Sequence, residues 1–141
     1  MSPVDLTVSE AAAAIARGEL SALAYAEALL ACAAERRALN AFIHHDADGV
    51  RAAARAADAA RRDGASLGPL HGVPLALKDN LDTAGMPTTG GTPGLRRHRP
   101  MQNAPVVQKL LDAGAIAIGK ANLHDLAYGI TNNNGGFGAA S

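Results

Sequence analysis

An α/β fold, with helices packed around a parallel or mixed central sheet, is predicted by three observations. The first third of the chain repeats Ala and Leu at the helical period. Two short apolar runs, Val73 to Leu77 and Ala115 to Ile118, read as buried strands. Between them lies an amphipathic helix, so the order is strand, helix, strand, which makes the two strands parallel neighbours with a right-handed crossover. The 141 residues amount to about one domain, and a hydrophobic content of 48% is ample for a core. With aromatics at 3%, that core must come from Ala, Leu, Val and Ile.

Thr7-Val8-Ser9-Glu10 has the form of a capping box and opens an Ala-rich helix that ends at Gly18. Ser21 caps a second helix, in which Leu23, Ala26, Leu29, Leu30 and Ala33 recur at the helical period and form its buried side. Ala41-Phe42-Ile43 is a short strand. Asp46 or Asp48 caps a third helix through Val50, Ala53, Ala57 and Ala60, with Arg51, Arg55, Arg61 and Arg62 facing water, and Gly64 ends it. From Gly68 the composition turns to Gly, Pro, Thr and Asn, which separates a helical segment, 1–67, from a lysine-bearing segment, 68–141. Asp82 to Pro100 is a long loop of the kind that often carries function. Asn103 caps the crossover helix, Pro105 sits in its first turn, and Gly114 closes it. Asn122 starts a short helix, Leu123 to Tyr128, and a Gly/Asn-rich loop follows.

Composition also excludes functions. Thirteen basic residues balance thirteen acidic ones, so the chain lacks the positive field that nucleic acid or an anionic membrane surface attracts, and neither partner is expected. No run approaches the ~20 apolar residues of a membrane span, and no basic segment leads into a long apolar core at the amino terminus, which predicts a cytoplasmic protein. Cys32 reads as a small buried hydrophobe on the second helix. His44, His45, His71, His98 and His124 do not combine with carboxylates at metal-ligand spacing, so no metal or other cofactor is expected. Gly114 to Lys120 has phosphate-loop spacing, but the residues between its glycines alternate like a strand, and Ala121 lacks the hydroxyl that would meet magnesium. Lys120 is therefore expected to be structural, pairing with an acid or capping the strand end. His124-Asp125 reads as a hydrogen-bonded structural pair, and Arg96-Arg97-His98-Arg99 as a solvated charge cluster.

Lys78 is the candidate chemical group. The chain has ten arginines and only three lysines, and one of these stands at the end of an apolar strand, outside which open α/β sheets bind ligands. Partial desolvation there would lower the ammonium pKa and make a general base, which a guanidinium does not become. The competing reading is a lysine that snorkels to water. A base needs a nucleophile, yet Ser2, Ser9, Ser21, Ser66 and Ser141 all lie outside any convincing nucleophile loop.

Leu70-His71-Gly72-Val73-Pro74-Leu75-Ala76-Leu77-Lys78-Asp79-Asn80 and Thr83-Ala84-Gly85-Met86-Pro87-Thr88-Thr89-Gly90 resemble the amidase signature family. Ala104-Pro105-Val106-Val107, Ala113-Gly114-Ala115, Gly119 to Ala127 and Asn134-Gly135-Gly136-Phe137-Gly138 follow that family's pattern in order. The resemblance implies hydrolysis of small carboxylic amides by a Ser, cis-Ser, Lys triad, with Lys78 as its lysine. It further implies that Asp79 and Asn80 orient the loop and that Gly129 and Thr131 line the substrate pocket. The stretches 88–93 and 97–100 look like those of indoleacetamide and mandelamide hydrolases, and the A component of aminoacyl-tRNA amidotransferases is the competing subfamily. Both catalytic serines of the pattern would fall beyond Ser141, so residues 1–141 read as the N-terminal part of one amidase domain, inactive alone. Its expected partners are the remaining part of the amidase or a second copy of itself. The alternative is a noncatalytic assembly or regulatory piece that pairs with another chain.

Overall fold

A computed structural model describes residues 2–141. Among the described residues four α-helices and three strands follow one another as α1 (Val8–Arg17), α2 (Ala22–Glu35), β1 (Phe42–His45), α3 (Ala47–Arg62), β2 (Pro74–Lys78), α4 (Pro105–Asp112) and β3 (Ile116–Ala121). Among the described residues the strands form one sheet in the order β1-β3-β2. Ile116 N–H donates to the Val73 carbonyl at 2.9 Å and Asp79 N–H to the Ala121 carbonyl at 3.1 Å. Partner numbers rise together, so β2 and β3 are parallel, as the crossover through α4 requires. β1 runs antiparallel to β3, with Phe42 opposite Ala121, His44 opposite Lys120, and a bulge between Phe42 and His44. The sheet is therefore mixed.

The chain divides into two compact units, each assembled from three separated stretches. One contains the residues through Glu35, Asp46–Leu75 and Lys109–Ala117. Its core is Ala11, Ile15, Ala22, Tyr25, Ala26, Leu30, Val50, Ala54, Val73, Ala115 and Ile116. Thr7 caps α1 as expected, its Oγ1 accepting from Glu10 N–H while the Glu10 carboxylate accepts from Thr7 N–H, and Gly18 ends the helix at φ +74°. That reciprocal bonding holds the Glu10 carboxyl below its ordinary pKa. α2 has two sources of capping. Ser21 Oγ accepts from Ala24 N–H, and Asp58 of α3 reaches across to accept Ala22 and Leu23 N–H at 2.8 and 3.1 Å.

Several local expectations shift. The buried residues of α3 are Val50 and Ala54, an i, i+4 pair on one helix face, while Ala53 is exposed and Ala57 and Ala60 are half-buried. Arg51 and Arg61 are half-buried: Arg51 pairs with Glu27 of α2 at 2.8 Å, and the Arg61 guanidinium lies against Gly18. Tyr25 joins the core of α2 where Leu23, Leu29 and Ala33 are only half-buried, as is Cys32. The α3 cap is Asp46, which accepts from Gly49 N–H.

The other unit contains Arg36–His45, Ala76–Gln108 and Ile118–Ser141, with Leu77, Val107, Ile118 and Leu123 as its buried apolar residues. Asn103 does not cap α4. Its Oδ1 accepts from Ala84 N–H at 2.7 Å and its Nδ2 donates to Gln108, so it ties the long loop down just ahead of the helix. The expected helix over 123–128 shrinks to a 3-10 turn, Asp125–Ala127, because Leu126 N–H is drawn to the Gly90 carbonyl and both Leu126 and Ala127 take left-handed φ of +50° and +59°. Asn134, 2% exposed, organises the final loop: its amide donates to the Gly91 and Leu123 carbonyls and its oxygen accepts Gly136 and Phe137 N–H. Among the described residues no helix is long and apolar enough to cross a membrane.

Candidate active site

Strand alternation decides which way the end of β2 points. Leu77 is buried while its neighbours Ala76 and Lys78 are exposed, so Lys78 leaves the strand end with its side chain in solvent. This corrects the desolvation argument for Lys78. The desolvated lysine of the chain is Lys120, which sits in the central strand and is 0% exposed.

Lys120 and Asp79 form a buried pair. Asp79, also 0% exposed, directs Oδ1 at the Lys120 ammonium at 3.2 Å. The three protons of Nζ go elsewhere, to the Leu81 carbonyl at 2.9 Å, the Pro87 carbonyl at 3.2 Å and Thr88 Oγ1 at 2.6 Å. Oδ1 therefore receives charge but no directed hydrogen bond. The second oxygen, Oδ2, accepts from Thr89 N–H at 3.1 Å and from the Thr89 hydroxyl. Burial pushes the Lys120 pKa down, and the opposing attraction of Asp79 offsets only part of that shift. The expectation that Lys120 pairs with an acid holds, and with every proton of its ammonium committed to the protein it has none left for a phosphate.

Main-chain bonds complete the frame. Asp79 N–H reaches Ala121, the Asp79 carbonyl accepts Gly90 N–H at 2.9 Å, and Leu81 N–H closes a turn onto the Lys78 carbonyl at 2.9 Å. Thr89 Oγ1 also accepts Gly91 N–H at 3.0 Å, which holds the Gly90-Gly91 turn, both at positive φ, against Asp79. The implied role of Asp79 in orienting this loop thus has a physical basis, whereas Asn80 is exposed.

Gly129 and Thr131 lie in the loop after the 3-10 turn. A side chain at Gly129 would meet the His124 ring at 2.2 Å, so the space beside it is filled by that imidazole, while Thr131 is exposed. His124 Nδ1 is buried without a hydrogen-bond partner, so the expected bond to Asp125 is not made through that atom. All four residues of the 96–99 cluster are exposed, as expected of a solvated cluster; Arg96 in addition stacks over the Phe137 ring at 4.8 Å and reaches the Gly136 carbonyl of the final loop, and His98 lies 3.8 Å from Asp82. Spacing gave no hint of Asn134 or Thr89, although both are short polar residues among glycines, where side chains commonly bond to backbone.

A family model described as Amidase matches residues 24–141. The A component of the glutamyl-tRNA(Gln) amidotransferase of Chloroflexus aurantiacus is 44% identical over 133 residues, 94% of this chain and 27% of its own length. Mandelamide hydrolase of Pseudomonas putida is 40% identical over 130 residues, 92% of this chain and 26% of its own length. Among solved structures, that of an amidase superposes with a TM-score of 0.89 at 35% identity, covering 96% of this chain and 31% of the other. The chain thus spans about a quarter of the length of the curated relatives it matches.

Proposed function

Because this chain belongs to the amidase family, we propose that it supplies Lys78 as the general base for hydrolysis of a small carboxylic amide. The observation that carries the proposal is the setting of Lys78: an exposed amine on the last residue of β2, at the carboxyl end of a parallel strand pair, on backbone clamped by Asp79. Ligands of parallel sheets collect outside such strand ends. In the reaction that the family resemblance implies, the Lys78 amine takes a proton from a serine hydroxyl, which relays it from a second serine as that oxygen attacks the amide carbonyl. Backbone N–H groups stabilise the oxyanion, ammonia or an amine leaves, and water cleaves the acyl-enzyme. The five serines of residues 1–141 are assigned no part in this relay. Its two serines come from sequence outside this stretch, in the same polypeptide or a second one. Residues 1–141 then act as part of one amidase domain, 1–67 the helical segment and 68–141 the lysine-bearing one. Gly129 and Thr131 are proposed to flank the amide, and the protein is proposed to work in the cytoplasm.

The test is kinetic. Protein isolated from its native source is assayed for ammonia release from mandelamide, an arylacetamide and glutamine, and Lys78 is then replaced. Lys78→Ala should lower kcat at least about a hundredfold, and Lys78→Arg should fail equally because a guanidinium does not give up its proton near neutral pH. Activity within about tenfold of the native rate in folded Lys78→Ala would reject the base assignment. A second reading draws on the relative named as a component of an amidotransferase: the chain works within an assembly. It predicts that activity elutes with a second polypeptide on gel filtration; activity confined to a single polypeptide species rejects it.

A further inference from the structure

We propose that the buried Asp79–Lys120 pair, with Thr89, is a positioning device that sets the direction in which Lys78 is presented. This rests on the reading of Lys78 as the base. Lys78 has a long, exposed side chain that extends into solvent at its own strand end. What aims it is the backbone on its carboxyl side, and there every polar group of the next residue is committed. Asp79 N–H is bound to Ala121 of β3, the Asp79 carbonyl to Gly90 N–H, Oδ2 to both donors of Thr89, and Oδ1 to the Lys120 charge.

Lys120 extends the same frame. Its Nζ bridges the Leu81 and Pro87 carbonyls and Thr88 Oγ1, so one buried ammonium holds the two limbs of the loop that leaves Lys78 and returns at Thr89. Thr88 Oγ1 in turn donates to the Leu81 carbonyl at 3.3 Å. A buried ion pair is a costly way to gain stability, since apolar residues of similar volume often do as well. It is well suited to fixing one geometry, because both charges lose their partners if the loop moves. Misplacing a catalytic group by about 1 Å can cost about a hundredfold in rate.

The experiment uses the active protein, with Lys120→Met, Thr89→Val, Thr89→Ser and Lys78→Ala compared by steady-state amide hydrolysis and by circular dichroism. Thr89→Val keeps the shape of the side chain and removes only the hydroxyl between Asp79 and Gly91; Thr89→Ser keeps that hydroxyl. The expected result is a fall in kcat of about a hundredfold in Lys120→Met and Thr89→Val with KM within about threefold, and recovery to near the native kcat in Thr89→Ser. Should Lys120→Met fail to fold, the Val/Ser contrast at Thr89 decides. Native kcat in folded Thr89→Val, or a fall shared equally by Val and Ser, overturns the inference while leaving Lys78 as the base. Full activity in Lys78→Ala rejects the base, and the positioning role goes with it.

Discussion

Lys78 and Lys120 show how differently two strand-end lysines are used. One is exposed to solvent; the other is enclosed and surrounded by three oxygens and a carboxylate. Removing one member of a buried pair strands the other charge, so Lys120→Met should destabilise the protein by about 3–5 kcal/mol, while Asp79→Asn combined with Lys120→Met should cost markedly less. Denaturant unfolding of the two variants checks this, and equal losses would show that the carboxylate does not need the ammonium. The lowered pKa of Lys120 carries a pH signature. Its folded value lies below the ordinary 10.5, so between the two values the unfolded chain binds more protons. Stability from this group therefore rises with pH through that window and is lowest below the folded pKa. The melting temperature of the native protein relative to Lys120→Met should climb as pH approaches 10.5, a trend that an unburied Lys120 would not produce.

At the scale of elements, the helix ends were the most legible features and the packed faces the least. Thr7-Val8-Ser9-Glu10, Gly18 and Ser21 announce their roles because caps act within a few residues of chain. Asp58 does not, since its carboxylate is needed by α2 from a different helix. Asp58→Ala should cost about 1–2 kcal/mol by leaving Ala22 and Leu23 N–H without a partner, measurable by denaturant unfolding, and no change would mean that Ser21 alone suffices as the cap. The turn between α4 and β3 makes a similar demand. Gly114 has φ +92°, and an added Cβ would come within 2.7 Å of His71 Cα, so Gly114→Ala strains the backbone and collides with main chain that cannot swing aside. The short helix expected over 123–128 fails for the complementary reason: its apolar spacing is helical, but Leu126 is recruited by Gly90 from another part of the chain.

On the scale of the whole molecule, the balanced charge governs behaviour in solution. With zero formal net charge at pH 7 and with Tyr128 and Met101 more than nine-tenths exposed, residues 1–141 should self-associate most strongly near neutral pH. Static light scattering across pH should pass through a maximum there, and a flat profile would assign association to specific contacts instead. The sequence by itself determined the α/β class, the strand, helix, strand crossover, the caps at Thr7, Gly18 and Ser21 and the lysine at the end of β2, because each is written in signals that act over a few residues or one helical period. Only the tertiary structure decided that Lys120 is the buried lysine, that Asp79 and Thr88 meet it, that β1 lies antiparallel along β3, and that Asn134 binds the final loop. Each compact unit draws on three separated stretches of chain, so these contacts arise between residues whose spacing carries no periodic trace, and burial and partnership are settled only when the stretches are brought together.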